Sequence, residues 1–174
     1  MRYKIGLMVL CLIATTVAFG QSQSEQEDEA TYIFYGRVFL ENAKGDGVTV
    51  RLYDNNQLIS TYKTNQKAKF SVGALLAKHY TLEFVKEGFV TKRVIINTKA
   101  ITTSKIRAED FDFNVYLIKE EEDVDYSILD FPMALIEYKK SIKGFDYNKK
   151  YTRQMHKIQN VVVAEGFASL LVSN

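Results

Sequence analysis

The chain has 174 residues, 23 Lys and Arg against 21 Asp and Glu, a formal net charge of +2, 13% aromatic residues and a single proline. That near balance leaves non-specific nucleic-acid binding unsupported, since it needs a basic surplus to displace counterions from phosphate, and the aromatic content fits a folded domain rather than a disordered chain. With Cys11 as the one cysteine, no intramolecular disulfide can form and a hydrophobic core must hold the fold.

At the N-terminus Arg2 and Lys4 precede the uncharged run Ile5 to Ala14, and Ala18-Phe19-Gly20 puts small residues three and one positions before a cut. The pattern predicts a cleaved secretory signal over residues 1–20, with Gln21 as the new N-terminus. The apolar run is shorter than the roughly 18 residues of a permanent span, so no permanent membrane span is expected after cleavage. Cys11 follows Leu10, where a lipid-attachment motif wants a small residue. Cleavage removes two cations, leaving 21 charges of each sign and no cysteine. Residues 21–30, Gln-Ser-Gln-Ser-Glu-Gln-Glu-Asp-Glu-Ala, lack a large apolar side chain and read as a flexible leader.

From Tyr32 the apolar residues recur with period two, the spacing of one strand face. Tyr32, Phe34, Val38 and Leu40 share a face interrupted by Gly36. Val48-Val50-Leu52, Phe70-Val72, Tyr80-Leu82-Phe84 and Phe111-Phe113-Val115-Leu117 continue the pattern, and further strands are predicted at 58–63 and 89–97. Turn-prone residues at 43–47, 54–56, 65–67 and 86–88 separate them. Seven short strands with no helical stretch between them predict a mainly β, antiparallel sandwich, with Phe70, Leu82 and Phe113 in its core.

Gly36-Arg37-Val38, Gly47-Val48-Thr49-Val50-Arg51-Leu52, Thr64-Asn65-Gln66-Lys67-Ala68-Lys69-Phe70-Ser71-Val72 and Tyr80 to Phe89 occur in that order. Over residues 32–98 the chain resembles the carboxypeptidase regulatory-like domain, a transthyretin-like (prealbumin-like) sandwich of exported bacterial proteins. The resemblance implies a seven-stranded prealbumin-like fold over residues 31–119 and an accessory scaffold or interaction role without catalytic residues. The family's central hairpin usually reads Thr-Asp-x-x-Gly-x-Phe; here Asn65 stands for the Asp and Ala68 for the Gly, which predicts an altered turn.

Residues 120–126 form an acidic linker, Glu120-Glu121-Glu122-Asp123-Val124-Asp125-Tyr126. For the segment after it, Pro132 suits a first helical turn, whereas Leu135, Ile136 and Tyr138 followed by Lys143-Gly144 and Phe145-Asp146-Tyr147 suit a hairpin, the reading preferred. Tyr151, Met155, Ile158 and Val162 then form a helical stripe, with Asn148 as N-cap and Gly166 as a break. Residues 127–174 are thus expected to be a hairpin plus an amphipathic helix whose stripe needs a cover, and the helix is expected to meet a partner rather than complete the sandwich.

Little in the chain supports catalysis. His79 and His156 have no neighbouring imidazole, so a zinc site is unsupported; His79 is expected at a strand edge and His156 facing solvent. No Gly-x-Ser-x-Gly elbow occurs. The hydroxyisourate hydrolases of the transthyretin-like fold are marked by a Tyr-Arg-Gly-Ser ending and paired histidines, both absent. Asp54-Asn55-Asn56 and Asp110-Phe111-Asp112 offer oxygen ligands, too few for a calcium shell. No enzymatic activity and no cofactor are expected.

The charge pattern is more informative. After the acidic run, Lys139, Lys140, Lys143, Lys149, Lys150, Arg153 and Lys157 are opposed by Asp146 alone. With Tyr147, Tyr151 and the stripe residues Met155, Ile158 and Val162, these are the candidate interaction residues, either a contact for acidic envelope polymers or anionic lipid heads or the wet face of hairpin and helix. The expectation is an exported module, periplasmic, outer-membrane-associated or extracellular, that binds an envelope protein or a glycan. The alternative is a docking subunit or assembly factor of a larger envelope complex that uses the helix.

Overall fold

The structure, a computed structural model, describes residues 31–41, 43–101, 110–122 and 124–172. The predicted signal and leader lie outside these residues.

Period-two alternation does produce strands in the expected phase. They are β1 (Thr31–Leu40), β2 (Ala43–Lys44), β3 (Thr49–Asp54), β4 (Gln57–Lys63), β5 (Lys69–Leu75), β6 (His79–Lys86), β7 (Phe89–Asn97), β8 (Phe111–Asp112) and β9 (Val115–Tyr116). A 3-10 helix (Ser127–Asp130) follows, then β10 (Ala134–Lys139), β11 (Gly144–Tyr147) and the helix α1 (Lys149–Val172). The chain is a mostly β sandwich of two mixed sheets with one C-terminal helix. The smaller sheet centres on β1, paired with β2, β5, β8 and β9; the larger has the order β11-β10-β7-β6-β3-β4. Side chains of both inner faces fill the space between, and the expected core residues Phe70, Leu82 and Phe113 are all buried. Phe70 contacts Phe84 and Phe113 edge-to-face at 5.1 Å, and Phe34 meets Phe145 at 4.8 Å.

Two pairings depart from the antiparallel expectation. The segment around β8 and β9 runs parallel to β1. Its ladder is completed by side chains: the Ile33 and Arg37 N–H groups, four residues apart, donate to Oδ1 of Asp110 and Asn114, also four apart, each at 3.2 Å. Gly36 is what lets this segment approach. A β-carbon there would lie 1.7 Å from the Phe113 carbonyl oxygen. Strand β10 pairs in parallel with β7, Ala134 opposite Val94 through Glu137 opposite Asn97. Alternation sets which face a residue occupies, not which strand it joins or in which direction.

The hairpin reading of 134–147 holds, with β10 and β11 antiparallel. It extends the larger sheet, and Ile136, Tyr138 and Phe145 belong to the main core. The division at 119 between a self-sufficient sandwich and an appended segment is therefore corrected.

In the central hairpin Ala68 takes the left-handed φ of +60° itself rather than reshaping the turn. Asn65 does the work expected of Asp, its Oδ1 accepting the N–H of Lys67 at 2.9 Å and of Lys69 at 3.1 Å. Among the described residues a second left-handed alanine, Ala77 at +55°, turns β5 into β6.

The helix begins as expected: Asn148 Oδ1 accepts the Tyr151 N–H at 3.1 Å. It does not stop at Gly166 but runs to Val172. A glycine inside a helix costs about 1 kcal/mol, too little by itself to end one.

Candidate functional site

The stripe of α1 is covered by this chain. Met155 and Val162 are buried with Val90, Leu129 and Met133 in a second apolar cluster, and Tyr151 and Ile158 pack against it. The Tyr151 hydroxyl donates to the Pro132 carbonyl at 2.7 Å. Four of the candidate interaction residues, Tyr151, Met155, Ile158 and Val162, thus turn inward. A helical stripe read in isolation shows that it needs a cover but not whose surface supplies it.

The cations fall into two groups at opposite ends of the hairpin. Lys139, Lys140 and Lys143 sit at its turn, where Lys139 pairs with Gly144; Lys149, Lys150 and Arg153 start the helix beyond the other end, where Ile136 pairs with Tyr147. Three residue steps of strand separate the ends, about 10 Å. Lys139 is paired with Glu137, and Lys149 approaches Asp146 at 3.6 Å. Among the described residues no carboxylate makes an ion pair with Lys140, Lys143, Lys150 or Arg153. At the turn Ile142 stands 60% exposed between Lys140 and Lys143.

Lys149 and Arg153 of the helix-start group line an open cleft of about 650 Å³ between α1 and the sandwich. One wall is α1, with Lys149, Thr152, Arg153, His156 and Gln159. The floor and opposite wall come from Lys92 and Val94 of β7, the 113–116 segment, and Met133-Ala134 at the start of β10. His156 is exposed, as expected, and lines this cleft. Among the described residues no carboxylate lines it.

Lys92 is the residue that sequence reasoning missed. The inward phase of β7 reads Val90, Lys92, Val94, Ile96, so an ammonium occupies a position where alternation calls for an apolar side chain. Its cross-strand partner is Phe84, fully buried. Lys92 Nζ donates to the Tyr116 carbonyl at 2.6 Å, across to the other sheet. Burial pushes its pKa down to about 8. A lysine in the apolar phase of a strand is legible in a sequence once each strand's phase is assigned residue by residue.

The other dense charge cluster is closed. On the outer face of the larger sheet Glu83 accepts from Arg51 and Tyr53 on one oxygen and from Arg93 on the other. Asp54 is held by Asn55 and Lys78, and Asp110 by the Ile33 N–H, so both calcium candidates are engaged in structure. No group of three or more His, Cys, Asp or Glu that could hold a metal stands together among the described residues.

No family model matches the chain, and no curated protein does. Solved structures do match. 3-Chlorocatechol 1,2-dioxygenase from Rhodococcus opacus is 12% identical, with a TM-score of 0.40 over 55% of this chain and 62% of that one. A DUF3823 family protein from Parabacteroides merdae is 17% identical, with a TM-score of 0.38 over 53% and 48%. The 5-hydroxyisourate hydrolase of Klebsiella pneumoniae is 13% identical, with a TM-score of 0.39 over 52% and 92%. The chain thus spans less than two thirds of the first two. All three likenesses lie below a TM-score of 0.5.

Proposed function

We propose that this chain is an exported, non-catalytic interaction or scaffold module of the bacterial cell envelope, built on a carboxypeptidase regulatory-like sandwich. The observation that carries the reading is the tip of the β10–β11 hairpin. There Ile142, 60% exposed, stands between Lys140 and Lys143, neither of them in an ion pair with a described carboxylate. An apolar side chain framed by free cations on a rigid turn suits contact with an acidic envelope protein or an anionic glycan. The hairpin is fixed in the larger sheet, so the tip is presented without an ordering cost. Export is supported by the charged, apolar and small-residue sequence from Arg2 to Gly20.

The test expresses the full chain with its own N-terminus in a bacterial host, fractionates the cells, and captures partners from envelope extract by cross-linking. The reading expects a product beginning at Gln21 in the envelope or the medium, and captured material that is lost when Lys140 and Lys143 are both changed to Glu. Retention of Met1 in the cytoplasm would defeat the export half. Capture unaffected by the charge reversal would defeat the tip as the contact.

A further inference from the structure

We propose that the cleft under the first turns of α1 binds a small organic anion, its negative head on Lys92, Lys149 and Arg153 and its apolar body against Val94, Phe113 and Met133. This site is distinct from the hairpin tip and does not depend on its role.

Three independent observations converge there. The first is shape and lining. A cleft of about 650 Å³ has the volume of small-molecule sites, which combine apolar walls with a few polar groups. Here Val94, Phe113 and Met133, all buried, line the space together with Lys92, Lys149 and Arg153; Asp146 approaches Lys149 at 3.6 Å, and no described carboxylate makes an ion pair with Lys92 or Arg153.

The second is Lys92. An ammonium carries three donors, and the bond described for it, to the Tyr116 carbonyl, uses one. Placing a cation in the apolar phase of a strand costs stability unless something compensates the charge. A neutral residue of similar length would pack there with no such cost. An anion in the cleft supplies both the missing acceptors and the missing charge.

The third is the helix start. The N-terminal turn of a helix carries partial positive charge and is stabilised by acids. In α1 this turn has no acid, and it holds Lys149 and Lys150, with Arg153 directly after. Local sequence opposes the dipole, and two of these cations, Lys149 and Arg153, line the cleft. Departures of this kind concentrate at functional positions. Deeper in, Gln159 lines the same cleft with its Oε1 buried and without a hydrogen-bond partner. A donor on the ligand, such as a hydroxyl, would satisfy that atom.

The head and the body make separable demands, so the probes are sodium octanoate, octylammonium chloride and sodium phosphate, titrated calorimetrically into the full chain. Octanoate is expected to bind at one site per chain, octylammonium not to bind, and phosphate to bind at least about tenfold more weakly than octanoate, as loss of the apolar contact requires. Lys92→Met should weaken octanoate by about tenfold, the value of one charge-assisted hydrogen bond, without lowering the unfolding midpoint. Arg153→Gln, at an exposed helix position that cannot perturb the core, should weaken it severalfold. Lys63→Met, on the far edge strand β4, should leave it unchanged. Octylammonium binding as tightly as octanoate, phosphate matching octanoate, octanoate failing to bind, or both cleft variants binding octanoate as the native chain does would each overturn the proposal. Should Lys92→Met unfold, Arg153→Gln alone decides.

Discussion

Glu83 and Arg93 face each other across β6 and β7, with Arg93 Nη2 2.9 Å and Nε 3.0 Å from Glu83 Oε1, and the carboxylate side chain is 9% exposed. Its second oxygen takes Arg51 at 3.0 Å and Tyr53 at 3.2 Å. Arg93 also reaches the carbonyl of Asp130, which ties the 3-10 helix, and through it the second apolar cluster, to the sheet. Removing one member of a buried pair leaves the others unanswered. Glu83→Ala should therefore destabilise by about 2 kcal/mol, its arginine partners being partly exposed, and Arg51→Ala, at the exposed end, by less. Chemical unfolding of the two variants checks the order; equal losses would mean that the network is not centred on Glu83.

Gly36 is expected to tolerate no side chain. A β-carbon there would fall 1.7 Å from the Phe113 carbonyl oxygen, a backbone atom that cannot rotate away. Gly36→Ala should cost about 3 kcal/mol or more, within the range of overpacked cores, and free the 110–117 segment from β1. Amide exchange at Phe113 and Leu117, which donate to Tyr35 and Phe39, should accelerate more than exchange in β6.

Ala77 offers a gain. It is exposed and holds φ at +55°, a region that costs an L-residue about 1 kcal/mol and glycine nothing. Ala77→Gly should raise stability by about 0.5 to 1 kcal/mol, less what the unfolded chain gains in freedom. Ala68→Gly should gain less, because Ala68 is buried and loses a packed methyl. Midpoints of thermal unfolding check the ranking.

The tail is expected to behave as core. Met155→Ala should cost about 2 to 4 kcal/mol, as a large buried side chain does. A chain ending at Lys119 loses Ile136, Tyr138 and Phe145 from the main cluster and uncovers β7. Its thermal unfolding should lose cooperativity. A sharp transition in that truncated chain would restore the division at 119.

Lys92 gives a pH dependence of definite sign. Its pKa is about 8 in the folded chain against 10.5 ordinarily, so between those values the unfolded chain binds the proton that the folded chain has released. Stability from this group is therefore lowest below pH 8 and rises toward pH 10. Lys92→Met should be more stable than the native chain at pH 7, by about 1 to 2 kcal/mol once partial exposure is allowed for, and the gap should narrow by pH 10. Tyr62, Tyr147 and Tyr151, held protonated by burial, titrate in both proteins and cancel in the comparison.

The strands of residues 32–117 were legible because period two fixes facing, and facing is what burial of Phe34, Leu82 or Phe113 expresses. Pairing was not: nothing local to Phe111 or Ala134 shows that each joins a strand in parallel, since the partner lies far away in sequence. The cap at Asn148 is legible from one residue, whereas Gly166 does not end the helix because the modest propensity cost of one glycine is not a stop. Of the candidate site, the helix-start cations were found by counting charge. Lys92 is not legible from the strand pattern of 89–97 as a whole, because only the alternation counted from Val90 and Val94 places it on the inward face.

Phe34 meets the rings of both Phe111 and Phe145, one residue of the first strand waiting on two that come far later in the sequence. Closing such long loops is entropically slow. As the chain emerges, β1 can find β5 early, yet its other edge stays open until residue 117 has appeared, and β7 stays an edge until β10 arrives. The molecule therefore commits to its native form late, after β10 and β11 have appeared, and a polypeptide delivered end-first through a narrow channel would remain pliable for most of its passage.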